Sequence, residues 1–133
     1  SYSFILAPLD KDVTYAELLK KQDVLAVGQI TSCSSVANEY VPCNKSYMRI
    51  EGEGIALSIV KQPEEDGENA VIVRVYNASE KNTDGRIVFD KSVNTAYKTN
   101  LNEDVLCDVK TENNAVPVSL TPWKIATYKV VFE

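Results

Sequence analysis

Histidine is absent from all 133 residues of this sequence. A site built on neutral imidazole is therefore excluded, which removes the Ser–His and Cys–His pairs that activate nucleophiles. Most catalytic zinc sites are removed as well, because they normally include at least one histidine ligand. The sequence accordingly predicts no catalytic residue and no metal ligand in this chain.

Basic residues are fewer than acidic ones, with 14 Lys and Arg against 19 Asp and Glu and a formal net charge of −5. Nucleic-acid-binding proteins carry basic patches on the surface that faces the phosphates, so no nucleic-acid partner is expected.

Long apolar runs are lacking too. No window approaches the roughly 18 apolar residues of a membrane span, so no membrane partner is expected.

Cysteine is sparse and odd in number: Cys33, Cys43 and Cys107, with no C-x-x-C spacing for a metal or a redox pair. We expect three reduced, mostly buried thiols in a reducing, cytoplasmic compartment. A Cys33–Cys43 disulfide in a secreted protein remains the alternative.

The sequence also opens without Met or a signal peptide, directly in strand-like SYSFILAPLD, and we expect a segment of a longer polypeptide.

What the sequence does contain is a series of short strands separated by turn signals every 8 to 15 residues or so, which is typical of an antiparallel sandwich. We predict an all-β fold, with a β-sandwich over residues 46–133. The predicted strands are Tyr47–Ile50, Ile55–Gln62 with Ile55, Leu57 and Ile59 on one face, Ala70–Asn77, Arg86–Phe89, Thr95–Leu101, Val105–Val109, Val116–Leu120 and Ile125–Phe132.

Residues 1–45 are predicted as a separate segment that packs onto the sandwich or precedes it. It would contain a strand at Tyr2–Leu6, one short helix of about two turns in VTYAELLKKQD, a strand at Val24–Thr31 and a Ser/Asn-rich loop. Thr14 and Glu17 have the spacing of a capping box for the helix.

Acidic residues cluster in two predicted turns, at Glu64–Glu68 and at Glu103–Asp104. Solvated turns that keep neighbouring edge strands soluble explain them best. A weak calcium site is the alternative, although no EF-hand spacing is present.

Arg74 is a charge within the apolar strand AVIVRVYN, where it shares a face with Ile72 and Tyr76. Three interpretations are open: a solvated strand face, an ion pair with a neighbouring domain, or a substrate contact. An arginine fork beside an aromatic ring suits pairing with a carboxylate across an interface.

Trp123 follows Pro122 at a corner before the last strand. The sequence favours a buried or half-buried plug at this corner. Its flat apolar face would also suit stacking on a sugar ring, and an interface anchor is the third possibility.

Several motifs, taken in order, resemble the C-terminal β-sandwich region of glycoside hydrolase family 38 α-mannosidases. They are the strand Ala56–Lys61, the acidic hairpin Glu64–Glu68, the strand end Arg74–Asn77 and the segment Leu120–Thr127. The resemblance covers most of residues 46–133 and, more faintly, the first nine.

The resemblance implies a non-catalytic domain that supports the catalytic and helical domains of a zinc-dependent, retaining α-mannosidase. Zinc and the nucleophile would belong to the catalytic domain of that parent, so no cofactor is expected here, and a bacterial, cytoplasmic parent is favoured. Arg74, Tyr76 and Asn77 become the candidates for interdomain or substrate-cleft contact, although Asn77 could instead close its own turn. The alternatives are a free-standing carbohydrate-binding or adhesion sandwich and a structural module of a secreted protein.

Overall fold

A computed structural model describes Leu6, Pro8 and residues 12–27, 45–64 and 69–133 of the chain. Within these residues the fold is an antiparallel β-sandwich with a single helix, which confirms the predicted fold class. The elements are α1 (Tyr15–Val27), β1 (Met48–Glu51), β2 (Ile55–Lys61), β3 (Ala70–Asn77), β4 (Thr83–Phe89), β5 (Val93–Thr99), β6 (Val105–Val109), β7 (Ala115–Leu120) and β8 (Ile125–Phe132).

The strands form two sheets in which every pairing is antiparallel. The three-stranded sheet has the order β1-β4-β7, and the five-stranded sheet has the order β2-β3-β8-β5-β6. The long strands β3 and β8 are neighbours at the middle of the larger sheet. Their alternating sequences place one set of side chains toward the other sheet and the other set on the outer face.

The core lies between the two sheets and is built mostly of β-branched and small residues, as expected for a pleated, tightly packed interior. Its buried members are Ile55, Val73, Val75, Ile87, Phe89, Ala96, Val116, Val118, Leu120, Ala126, Tyr128 and Val130. The predicted division of β3 is confirmed, because Val73 and Val75 enter this core while Arg74 points to the outer face.

The chain passes from one sheet to the other in the short turn between β1 and β2. Gly52 and Gly54 have positive φ values of 134° and 80°, which other residues rarely adopt. Gly85 of β4 lies directly beneath this turn. A Cβ atom at position 85 would meet the backbone oxygen of Glu51, so the close approach requires glycine.

Helix α1 is longer than predicted, and it takes the place of the first four residues of the predicted strand Val24–Thr31. Its start is as expected: the side chain of Glu17 accepts a hydrogen bond from the Thr14 amide at 2.9 Å, and Thr14 Oγ1 accepts one from the Glu17 amide. The helix then continues to Val27. Short apolar runs do not distinguish strand from helix by periodicity, which explains the error at Val24.

The other predictions for the N-terminal segment fall outside the described residues: the loop, the remainder of the Val24–Thr31 strand, and all of Tyr2–Leu6 except Leu6. No helix in the described part of the chain is long and apolar enough to cross a membrane.

Two further details correct the sequence analysis. In β2, the predicted apolar face of Ile55, Leu57 and Ile59 is broken after Leu57, because a bulge between Leu57 and Ile59 places Ile59 opposite Arg74 on the outer face. Ile55 is buried, whereas Leu57 and Ile59 are exposed. Cys107 is an exposed free thiol on the edge strand β6, so it is not one of the buried thiols expected; Cys33 and Cys43 lie outside the described residues.

Candidate functional site

Arg74 lies near the middle of the outer face of the five-stranded sheet. Its register partners are Ile59 in β2 and Thr127 in β8. The Arg74 Nε donates a hydrogen bond to Thr127 Oγ1 at 3.1 Å, and the arginine side chain is half-buried. A freely solvated charge would need neither this hydrogen bond nor this burial.

The nearest strand neighbours of Arg74 on this face are apolar or cationic, with Lys61 and Lys129 in register with Ile72. Ile72 on the same strand is fully buried, while Ile59 is 39% exposed and Ile125 is 57% exposed. No carboxylate in the described residues lies within ion-pair distance of the Arg74 guanidinium. A partly buried charge without a counter-ion is costly, so this surface suits a partner that supplies a carboxylate.

Tyr76 lies two residues further along the same face, where α1 covers the sheet. Leu19 of the helix and the Tyr76 ring both pack against the buried pair Ala56 and Ala78. Tyr76 is half-buried by this contact within the chain. Its predicted role in an interdomain contact stays a prediction.

Asn77 is fully buried, and its side chain closes the turn that follows β3. Its amide nitrogen donates to the backbone oxygens of Lys81 at 2.6 Å, Leu120 at 3.3 Å and Thr121 at 3.1 Å. Its oxygen accepts from the amide and the hydroxyl of Ser79 at 2.9 and 2.8 Å. The structure therefore shows the turn-closing role that the sequence had left open.

At the opposite end of the outer face, the β5–β6 loop reaches across to β2. Glu103 pairs with Lys61 at 2.5 Å and accepts a hydrogen bond from the Glu64 amide at 2.9 Å. The Lys61 ammonium and this amide hold the pKa of Glu103 below 4.5, and the Glu103 carboxylate raises the pKa of Lys61. We call this contact the Lys61–Glu103 clasp. Arg74 lies on the face between the clasp and α1.

Trp123 lies at the corner between β7 and β8, in a left-handed backbone conformation with φ of 59°. The sequence favoured a buried or half-buried plug here, but the side chain is 57% exposed. Its ring meets Tyr15 of α1 edge to face, with 6.1 Å between centroids and an angle of 74°.

A cleft of about 560 Å³ opens beside these two rings. Its volume is within the range of natural small-molecule sites, roughly 300–1,000 Å³. The walls come from the start of α1, the β1–β2 turn, the β3–β4 turn and the β7–β8 corner. The lining residues are Thr14, Tyr15, Glu53, Gly54, Ala78, Ser79, Glu80, Lys81, Asn82, Thr83 and Trp123.

Most of the sandwich sequence matches the model of a known protein family. The family model "Glycosyl hydrolases family 38 C-terminal beta sandwich domain" matches residues 54–128, which is more than half of the chain. This chain belongs to that family. The match runs from the β1–β2 turn into β8, so it includes Arg74, Asn77 and Trp123 but not α1. A search of curated proteins finds no match.

Membership in family 38 raises the question of zinc, and the described residues of this sandwich do not fit a zinc ion. They contain no group of three or more Cys, Asp or Glu side chains placed to hold a metal, and the sequence has no histidine. The alternative of a calcium site at Glu103–Asp104 gains no support, because the Glu103 carboxylate is engaged by Lys61 and the Glu64 amide.

Of the residues that line this cleft, Trp123 was a predicted site residue, whereas the others, Tyr15 and Glu53 among them, were not. Tyr15 lies more than one hundred positions before Trp123 and outside the segment that matches the family. No local pattern in the sequence could have placed the two rings together. Glu53 stands in an acidic, glycine-containing segment that was predicted only as a turn.

Proposed function

We propose that this sandwich is a non-catalytic domain of an α-mannosidase-like glycoside hydrolase, which it supports by docking against the catalytic domain of the parent chain. Family membership supports the choice of parent. The observation that carries the docking role is the half-buried Arg74, which has no carboxylate partner among the described residues of the chain.

The outer face around Arg74 has the features of a docking surface. It combines a charge in need of a partner with exposed apolar side chains, Ile59 and Ile125, on either side of it. Interfaces between domains of one chain resemble protein–protein interfaces, in which arginine and apolar anchors contribute most of the binding energy. The partner would supply a carboxylate for the Arg74 fork and apolar groups for its flanks.

The proposal leaves bond breaking to the parent's other domains. Hydrolysis of α-mannosides and the zinc ion would belong to the catalytic domain, and this sandwich would brace the loops that shape the substrate cleft. The catalytic and helical domains of the parent are the proposed partners, without nucleic acid or membrane. We also propose a cytoplasmic location, on the strength of the few, widely spaced cysteines.

The test is the Arg74→Ala variant in the intact enzyme that carries this sandwich. We expect domain docking to weaken by roughly 2 kcal/mol, the low end for removing one member of a buried charge pair. Hydrolysis of a chromogenic aryl α-mannoside should fall, and the melting temperature of the enzyme should drop. Arg49→Ala is the matched control, because Arg49 is exposed on the three-stranded sheet.

Unchanged activity and unchanged melting for Arg74→Ala would overturn the docking role. Equal losses for Arg74→Ala and Arg49→Ala would do the same, because they would show no preference for the outer face. The chain of 133 residues alone is expected to release no sugar from the same substrate. Release at a rate above the buffer blank would contradict the non-catalytic assignment.

A further inference from the structure

The aromatic cleft at the β7–β8 corner is separate from the surface around Arg74 and has no part in the proposed docking. We propose that this cleft binds a neutral pyranose sugar, with the sugar ring stacked on Trp123. The proposal goes beyond the support function, and it can fail or hold independently of it.

The two aromatic rings provide the apolar part of the site. Trp123 and Tyr15 are 57% and 55% exposed, although large rings are normally kept largely out of water. Their ring planes are nearly perpendicular, so the two rings form two walls at an angle to each other. The C–H face of a pyranose is flat and apolar, so it can cover the Trp123 ring while its hydroxyls point elsewhere.

The polar groups around the rings can bind those hydroxyls. The side chains of Glu53, Glu80, Lys81 and Asn82 line the cleft, and none of them makes a hydrogen bond or an ion pair with the described residues. Together they offer carboxylate acceptors, ammonium donors and an amide that does both. A sugar, whose hydroxyls donate and accept, matches such a mixed set.

The charges in the cleft argue for a neutral ligand. Two carboxylates, Glu53 and Glu80, disfavour a phosphate or another anion, which would be held by basic groups or backbone amides. The Lys81 ammonium disfavours a quaternary ammonium, the other ligand that aromatic walls commonly bind. A neutral polyhydroxylated ring with an apolar face satisfies both conditions.

The floor of the cleft is held in place before any ligand arrives. Asn77 fixes the β3–β4 turn through Ser79 and the Lys81 carbonyl. Thr83 Oγ1 donates a hydrogen bond to the backbone oxygen of Glu53, which joins that turn to the β1–β2 turn. A site whose backbone is already ordered loses less entropy on binding, which favours even a small ligand.

The single tryptophan makes the test direct, because Trp123 is the only one in the sequence and its fluorescence therefore reports on the cleft. The chain of 133 residues is titrated with methyl α-D-mannopyranoside, methyl β-D-glucopyranoside and methyl β-D-galactopyranoside. We expect a saturable change in emission with at least one of them, with millimolar affinity. Sorbitol is the control ligand, because it carries hydroxyls but has no flat ring face, and it should give no saturable change.

Two variants keep the fluorescent reporter and test the assigned contacts. Tyr15→Ala should weaken binding by roughly 2- to 10-fold, the value of one aromatic contact. Glu53→Gln should weaken it by roughly 10-fold, because a hydrogen bond to a charged group becomes a neutral one. Tyr47→Ala is the matched control, since Tyr47 is an exposed tyrosine outside the cleft. Circular dichroism establishes that each variant is folded.

Three results would overturn the proposal. The first is no saturable change with any of the pyranosides. The second is a saturable change of equal size with sorbitol or with tetramethylammonium, which would assign the cleft to a different chemistry. The third is binding that is unaffected by Tyr15→Ala and by Glu53→Gln in folded protein, which would place the sugar elsewhere.

Discussion

A single buried amide, Asn77, joins three parts of the chain at one corner of the molecule. Its hydrogen bonds reach the turn after β3 and the end of β7, more than forty residues away. An unpaired polar group in such a position costs more than the hydrogen bond itself contributes. The identity of this one residue therefore determines whether both turns keep their shape.

We expect Asn77→Ala to lower the free energy of unfolding by roughly 3 kcal/mol, because several buried carbonyl and amide groups lose their partner at once. Denaturant unfolding of the purified chain measures the effect. Asn82→Ala, in the same turn but exposed, is the control and should change stability by less than about 0.5 kcal/mol. A loss below about 1 kcal/mol for Asn77→Ala would mean that water replaces the lost hydrogen bonds.

The Lys61–Glu103 clasp makes stability depend on pH in the acid range. The pKa of Glu103 is lowered in the folded chain by Lys61 and the Glu64 amide, and it is ordinary in the unfolded chain. Its contribution is therefore fully present well above the unfolded pKa and is lost as the pH falls through the lowered folded pKa. We expect Glu103→Gln to lose less stability on acidification than the parent chain does. The measurement is the midpoint of denaturant unfolding, determined at several pH values between neutral and about pH 3.

The control for the clasp is Glu112→Gln, at a residue whose ion pair within the described part of the chain is a long, exposed one of 3.6 Å with Lys110. This variant should keep the acid-side slope of the parent chain. Glu51, whose pKa is lowered by Arg49 and Arg86, contributes a slope of the same sign that both variants retain. Identical slopes in Glu103→Gln and the parent chain would show that the clasp does not contribute.

At the scale of elements, strands with a clean alternation could be predicted to the residue. The predicted bounds of β3, β6 and β8 agree with the structure. β4 was predicted too short, because Asp84 and Gly85 are poor strand formers and were interpreted as a turn. What holds them in the strand is pairing with β7, where Gly85 lies opposite Val118. That interaction is tertiary and leaves no local signal.

Gly85 allows the β1–β2 turn, which connects the two sheets, to lie close against β4. A Cβ atom at this position would lie 2.2 Å from the Glu51 oxygen and 2.6 Å from the Ile55 side chain. We expect Gly85→Ala to destabilise the chain by roughly 3 kcal/mol, because backbone atoms must move apart to admit the methyl group. Asp84→Ala, at the exposed neighbouring position, is the control for thermal unfolding. Equal melting temperatures for Gly85→Ala and Asp84→Ala would mean that the β1–β2 turn can move away from β4 at little cost in free energy.

At the scale of the whole molecule, the sandwich was predictable because its signal repeats in every strand. The surfaces were predictable only in part. Arg74 was recognised as a charge on an apolar face, but the absence of a carboxylate near it in the described structure could not be derived from strand periodicity. The cleft was harder still, because it requires α1 to bring Tyr15 to Trp123, and the position of the helix on the sandwich is a tertiary contact without a local signal.

The described side chains of helix α1 make few apolar contacts with the sandwich, so the helix should open more readily than the sheets. Its described apolar anchor is Leu19, which packs on Ala56 and Ala78 next to Tyr76. Segments with little buried apolar surface open at lower free energy than the core, as amide hydrogen exchange shows. We expect the amides of α1 to exchange well before those of β3.

Leu19→Ala should widen this difference. Loss of the half-buried side chain is expected to lower the opening free energy of α1 by roughly 1–2 kcal/mol, while exchange in β3 stays the same. The emission of Trp123 should shift to the red as Tyr15 moves away from it. Lys21→Ala, on the exposed side of α1, is the control and should alter neither signal. Equal exchange in α1 and β3, before and after Leu19→Ala, would mean that helix and sandwich unfold as one cooperative unit, and the cleft would then be as rigid as the core.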